Sequence, residues 1–148
     1  MQKLILKNKR AFHEFEVLNK YICGIVLAGH EVKSLKSGGG HFTGSFITVQ
    51  NGEAFVQHLH IPLYKRATID DYNPEHTRKL LLSKAEILKI ATALSTKGVT
   101  VIPLSILEDH HLLKLEIAVA RGKKLYDKRE DIKKRDMKRR IETSLKDY

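Results

Sequence analysis

The chain has 148 residues, 42% of them hydrophobic, and 27 Lys and Arg against 17 Asp and Glu give it a net charge of +10. That length and apolar content suit one domain with a real core plus an appendage. No stretch approaches the roughly 20 apolar residues of a membrane span, residues 1–10 lack the apolar run of a secretory leader, and a single Cys excludes an internal disulfide, which fits a reducing cytoplasm.

From residue 12 to residue 119 the pattern is mainly that of strands. Residues 15–18 and 21–28 are short β-rich runs, with Gly24 and Gly29 at expected bulge or turn positions. Residues 30–36 suit a short helical turn, and Gly38-Gly39-Gly40 a flexible connection. Residues 42–50 and 53–60 flank Asn51-Gly52, a strong hairpin signal. Pro62 ends that pair, and the polar stretch 65–74 predicts a long loop. Ser83 and Glu86 form a capping box, and Ile87, Leu88, Ala91 and Leu94 follow at helical spacing toward Gly98, a natural helix terminator. Residues 99–107 and 112–120 predict two strands around a turn that contains His110-His111. In the second, Leu113, Leu115, Ile117 and Val119 alternate with polar residues, a half-buried pattern. Pro103 pushes the first toward a sheet edge or a bulge. About six short strands with one clear helix predict a mainly β fold, a small OB-like barrel with one to three flanking helices over residues 1–120.

Residues 121–148 differ. They carry 12 basic and 6 acidic side chains, a net +6, which leaves +4 for the preceding 120 residues. Ile132, Met137, Ile141, Leu145 and Tyr148 are the thin apolar content of this segment. So little apolar area does not offset the entropy of ordering, which predicts a tail disordered when free and helical on a surface that supplies contacts. The concentrated charge suits a polyanion, either nucleic acid or an anionic membrane. The plainer reading is a solvated charged helix.

Chemistry-bearing constellations are sparse. His58 and His60 lie two apart on an expected strand, where both could face a metal, yet no Cys pair, H-E-x-x-H or carboxylate cluster accompanies them. Gly38–Gly40 lacks the Lys-Ser/Thr of a phosphate-binding loop, and Ser83 is accounted for as a cap. The expectation is no catalysis, no metal, no cofactor and no small-molecule substrate. Cys23 sits in an apolar run and is expected to be a small buried hydrophobe. Two basic sets remain. Arg78-Lys79 precedes Leu80-Leu81-Leu82, three residues expected in the core. Residues 121–129 interleave Lys and Arg with Gly122 and Tyr126, which suits phosphates and one stacked base.

Taken together, several stretches resemble the small protein B family, the bacterial SsrA-binding proteins that partner transfer-messenger RNA. They are Asn8-Lys9-Arg10-Ala11, Gly24-Ile25-Val26-Leu27, Glu31-Val32-Lys33-Ser34-Leu35, Arg78-Lys79-Leu80-Leu81-Leu82 and the run from Ala120 to Arg129. The resemblance covers the chain from about Asn8 onward. It implies an OB-type barrel that binds the tRNA-like domain of transfer-messenger RNA and acts in trans-translation on stalled ribosomes. It implies an RNA-binding set of Asn8, Lys9, Glu31, Lys33, Ser34, Lys36, Arg78, Lys79, Arg121, Gly122, Lys123 and Lys124. It also places Tyr126, Asp127, Lys128, Arg129, Lys133, Lys134 and Arg135 on a tail that enters the decoding centre and the empty message channel as a helix. The chain departs from the family pattern at Gly39, Gly40 and His41, where a basic residue, an apolar one and Asn are usual, and at His76, where Arg is frequent. Those changes predict a lost basic contact and a looser loop. The rival readings are a general OB-type RNA-binding protein, a membrane-surface protein with a basic tail, and a His-dependent hydrolase.

Overall fold

The structure is a computed structural model that describes residues 2–65 and 67–123. In chain order the elements are β1 (Lys3–Lys7), α1 (Ala11–Glu14), β2 (Phe15–Ile25), α2 (Gly29–Lys36), β3 (Phe46–Gln50), β4 (Glu53–Gln57), β5 (Arg78–Leu81), α3 (Lys84–Leu94), β6 (Val99–Asp109) and β7 (Leu112–Gly122). All seven strands join one antiparallel sheet in the order β1-β6-β7-β2-β5-β4-β3. The sheet curls until β3 packs against β6, so it takes the form of a small OB-like barrel. The expected fold class is observed. Strand β1 had escaped the sequence pattern because its Lys-Leu-Ile-Leu-Lys has only three apolar residues, and its pairing with β6 spans a hundred positions.

Local chemistry explains most elements. Asn51 and Gly52 adopt φ of 52° and 75°, the left-handed pair of a tight hairpin turn, and Gln50 pairs directly with Glu53. Ser83 caps α3: its hydroxyl accepts the Glu86 N–H at 3.2 Å, and the Glu86 carboxylate accepts the Ser83 N–H at 3.2 Å. The helix stops at Leu94, earlier than expected, and Gly98 serves the turn into β6 with a φ of 79°. Its buried stripe is also shifted, with Ile90 at the centre and Ile87 and Leu94 beside it, while Leu88 faces solvent. Leu81 is exposed as well, because β5 alternates and only Leu80 of the three leucines is fully buried.

Long strands replace the short runs. Residues 15–18 and 21–25 belong to one strand, β2, with a register shift between Val17 and Asn19, and residues 26–28 lead into α2. Gly24 is an ordinary paired residue, and Gly29 opens α2. Pro103 does not mark an edge, since β6 lies between β1 and β7. It sits in a bulge between Pro103 and Ser105. Asn8 closes the bulge by donating its side-chain amide to the Pro103 carbonyl and its backbone N–H to the Leu104 carbonyl, both at 2.8 Å. Alternation puts Ile102 and Leu104 in a second small core with Ala11, Ala118 and Ala120, and the shift returns Ile106 to the main core beside Val101. Strand β7 continues past Ala120 to Gly122, so Arg121 and Gly122 belong to the sheet and not to a tail. Cys23 is buried in the main core, and burial pushes its thiol up to about 12.

The β6–β7 turn consists of His110 and His111, with φ of 50° and 67°. A left-handed non-glycine residue costs about 1–2 kcal/mol. Replacing the pair by Asn-Gly should therefore stabilise the protein by about 1 kcal/mol. Calorimetry should show Tm raised by roughly 2–4 °C. An unchanged or lower Tm would count against strain in this turn.

Candidate nucleic-acid interface

One end of the barrel is organised by a buried ion pair. Glu31 on α2 and Arg78 on β5 are each 1% exposed. The Glu31 Oε2 accepts Arg78 Nε at 2.8 Å and Arg78 Nη2 at 2.6 Å. Its Oε1 accepts the Ala28 N–H at 2.9 Å, which holds the start of α2. Arg78 Nη1 donates to the Leu59 carbonyl, and Nη2 donates to the Pro74 carbonyl at 2.9 Å. The Tyr72 hydroxyl lies 3.0 Å from Glu31 Oε2 and 2.7 Å from the Ile61 carbonyl. His76 Nε2 sits 2.9 Å from the same carboxylate oxygen, so this departure from the family pattern joins the network. Burial raises the Glu31 carboxyl, but the Ala28 N–H, Arg78 and Tyr72 outweigh it and hold it down at about 2. Burial and Glu31 push the Tyr72 hydroxyl up to about 12.

The geometry divides the expected RNA-contact residues into buried and exposed ones. Glu31 and Arg78 are turned inward and saturated by each other and by backbone, so neither presents its charge to a ligand. Ser34 is also buried, and its hydroxyl donates to the Pro62 carbonyl at 2.6 Å. All three lie beneath the surface of this end of the barrel. Lys33 is exposed on α2, and Lys36 is exposed with its ammonium 3.2 Å from Glu108. Lys79 is exposed on β5 and pairs with Glu53 at 3.3 Å. The segment after α2 is closely packed and not loose. The Gly39 N–H donates to the Ser34 carbonyl, and His41 and His60 exchange backbone hydrogen bonds under rings stacked 4.5 Å apart. A Cβ at Gly39 would fall 2.8 Å from Ser34 Oγ and 3.0 Å from Pro62, so no larger residue fits this conformation. His58 and His60 do not share a strand face, because β4 ends at Gln57 and His58 turns left-handed. Among the described residues no group of three or more His, Cys, Asp or Glu could hold a metal.

A second basic surface lies where the end of β1, α1, β2 and the end of β7 come together. Phe12 is 43% exposed, with the Lys7 and Lys20 ammonium groups 5.5 and 6.0 Å from its ring centre. Lys123 donates its N–H to the Glu14 carbonyl at 2.8 Å and its ammonium to the Phe12 carbonyl at 3.2 Å. Lys9 and Arg121 are exposed beside it, whereas the Asn8 side chain is committed to the bulge. Sequence reasoning placed Lys9, Arg121 and Lys123 but missed Lys7, Phe12 and Lys20, whose proximity depends on strand pairing. Lys124, Tyr126, Asp127, Lys128, Arg129, Lys133, Lys134 and Arg135 lie outside the described residues, as does the expected tail helix.

A family model described as SmpB protein matches residues 5–147. The chain belongs to this family. An SsrA-binding protein of Geotalea uraniireducens is 45% identical over 146 residues, covering 99% of this chain and 97% of its relative. One from Thermosipho melanesiensis is 47% identical over 145 residues, covering 97% and 99%. A chain of the solved structure "tmRNA-SmpB: a journey to the center of the bacterial ribosome" superposes with a TM-score of 0.71 at 39% identity, covering 83% of this chain and 87% of that one. Of the stretches that resemble the family, Glu31, Ser34 and Arg78 are buried here, and Lys33 and Lys36 are exposed.

Removing one member of a buried ion pair strands the other and costs about 3–5 kcal/mol. Arg78→Met should lower the urea unfolding free energy by that amount, and Arg78→Met with Glu31→Gln should cost less than the two single changes summed. Additive losses would show that the pair is not coupled. The Glu31 carboxylate is held below its ordinary 4.5, at about 2, so its stabilisation is complete above the ordinary value and disappears as pH falls through the lower one. Unfolding of the parent should weaken between about pH 4.5 and 2 by a component that Glu31→Gln lacks.

Proposed function

We propose that this chain is an RNA-binding adaptor of ribosome rescue. It binds the tRNA-like domain of transfer-messenger RNA and delivers it to stalled ribosomes in the cytoplasm for trans-translation. The observation that carries this reading is the family match across residues 5–147, which includes the basic C-terminal segment. The charge pattern supports it independently. A net +10 with exposed Lys and Arg at two separate places suits a protein that bridges two RNA bodies. No helix among the described residues is long and apolar enough to cross a membrane.

In this reading the α2 surface, with Lys33 and Lys36, meets one RNA, and Glu31, Ser34 and Arg78 position it from beneath. Lys9, Lys79, Arg121, Gly122, Lys123 and Lys124 add phosphate contacts. The barrel and the basic segment are two functional units. The segment carrying Tyr126, Asp127, Lys128, Arg129, Lys133, Lys134 and Arg135 occupies the decoding centre and the empty message channel of the ribosome. The adaptor needs no cofactor and performs no catalysis itself.

Competition binding at one fixed salt concentration tests the RNA assignment, because phosphate contacts make affinity strongly salt-dependent. The tRNA-like domain of transfer-messenger RNA should displace a labelled copy of itself far better than unrelated structured RNAs do. Equal competition would replace the adaptor reading with that of a general RNA-binding protein. Deleting residues 130–148 should leave this binding nearly intact and abolish tagging of stalled products. Retained tagging by the shortened protein would refute the role given to the tail.

A further inference from the structure

We propose that the cleft between α1 and residues 42–46 is a pocket for one unstacked nucleobase of an RNA ligand. The inference rests on the RNA-binding reading above and adds to it a site away from α2. The cleft holds about 350 Å³, within the roughly 300–1,000 Å³ of small-molecule sites. Phe15, Phe42 and Phe46 contribute aromatic walls, Thr43 a hydroxyl, and Arg10 and Glu14 the charged groups. Phe42 is buried, whereas Phe46 is 38% exposed. An aromatic ring left half in water beside a cleft is an unfilled stacking surface, and every base has a face to lay on it.

The walls are set before any ligand arrives. Gly44, at a φ of 74°, makes the turn, and the Ser45 hydroxyl ties it to β4 by donating to the Gln57 carbonyl at 2.8 Å. His58, itself left-handed at a φ of 56°, brings its ring 5.6 Å from Phe46 and backs it. Such preorganisation lowers the ordering cost of binding.

Charge selects the ligand class. Phe15 pairs with Gly122, next to Arg121, and the Glu14 carbonyl holds the Lys123 N–H, so the end of β7 adjoins the cleft. Arg10 lines the cleft itself, Lys123 is hydrogen-bonded to the α1 carbonyls of Phe12 and Glu14, and Lys9 is next along the chain. A polyanion threads such a region, and its base enters the aromatic cleft. Glu14 is the one acid in the lining. A carboxylate only accepts hydrogen bonds, so it repels phosphate but suits the amino edge of adenine, cytosine or guanine.

The test uses the full chain and a short single-stranded oligoadenylate with one 2-aminopurine, whose fluorescence falls on stacking. The unaltered protein should quench the probe. Phe46→Leu, which keeps an apolar side chain without the ring, should weaken binding by roughly tenfold. Arg10→Gln should also weaken it, and Lys89→Gln on exposed α3 should not. Circular dichroism melting curves checked in parallel show that each variant folds. Quenching that Phe46→Leu leaves unchanged, or that Lys89→Gln reduces as much as Arg10→Gln does, would overturn the pocket. Binding of the transfer-messenger RNA domain is measured on the same samples. If the unaltered protein binds that domain but not the oligonucleotide, the pocket fails and the adaptor reading stands. If it binds neither, the adaptor reading fails first.

Discussion

A guanidinium and a carboxylate removed from water must satisfy each other and every remaining donor and acceptor, or the fold loses several kcal/mol. Glu31 and Arg78 meet that condition by drawing in partners from four places. Ala28 comes from the start of α2, Leu59 from beyond β4, Tyr72 and Pro74 from the loop, and His76 from the approach to β5. Leu35, Leu59 and Ile61 anchor the same end in the main core. The charge pair and its hydrogen bonds hold the loop and the start of α2 against it.

The same pair separates structure from recognition. Residues whose charge suggested contact with RNA lie beneath the surface, and short residues such as Ser34 and Gly39 allow the backbone to close over them. The exposed charges are then Lys33 and Lys36 on α2, held at a fixed angle by a helix whose N-terminus is tied to Glu31.

The long β6–β7 hairpin has a comparable role for the second basic surface. Ala11 of α1 packs on Ile102 and Leu104 of this hairpin, and the bulge after Pro103 returns Ile106 to the main core. That packing brings Phe12, Glu14 and Phe15 against the end of β7, where Lys123 is hydrogen-bonded. The exposed Phe12 and the cleft beside α1 thus follow from the packing of α1 on this hairpin.

The sequence by itself determined what depends on neighbours along the chain. Asn51-Gly52 specified a hairpin because both positions must turn left-handed, Ser83 and Glu86 specified a helix start by capping each other, and the alternation from Leu113 to Val119 specified a half-buried strand. The uneven charge pointed to a polyanion, and the family stretches to a particular one. Tertiary structure decided what depends on distant partners. It paired β1 with β6, carried β7 through Gly122, left Leu81 and Leu88 in solvent, and buried Glu31 and Arg78 together across 47 positions. A charged residue reads as exposed in sequence because burial is costly without a partner, and that partner becomes visible only when the chain has folded.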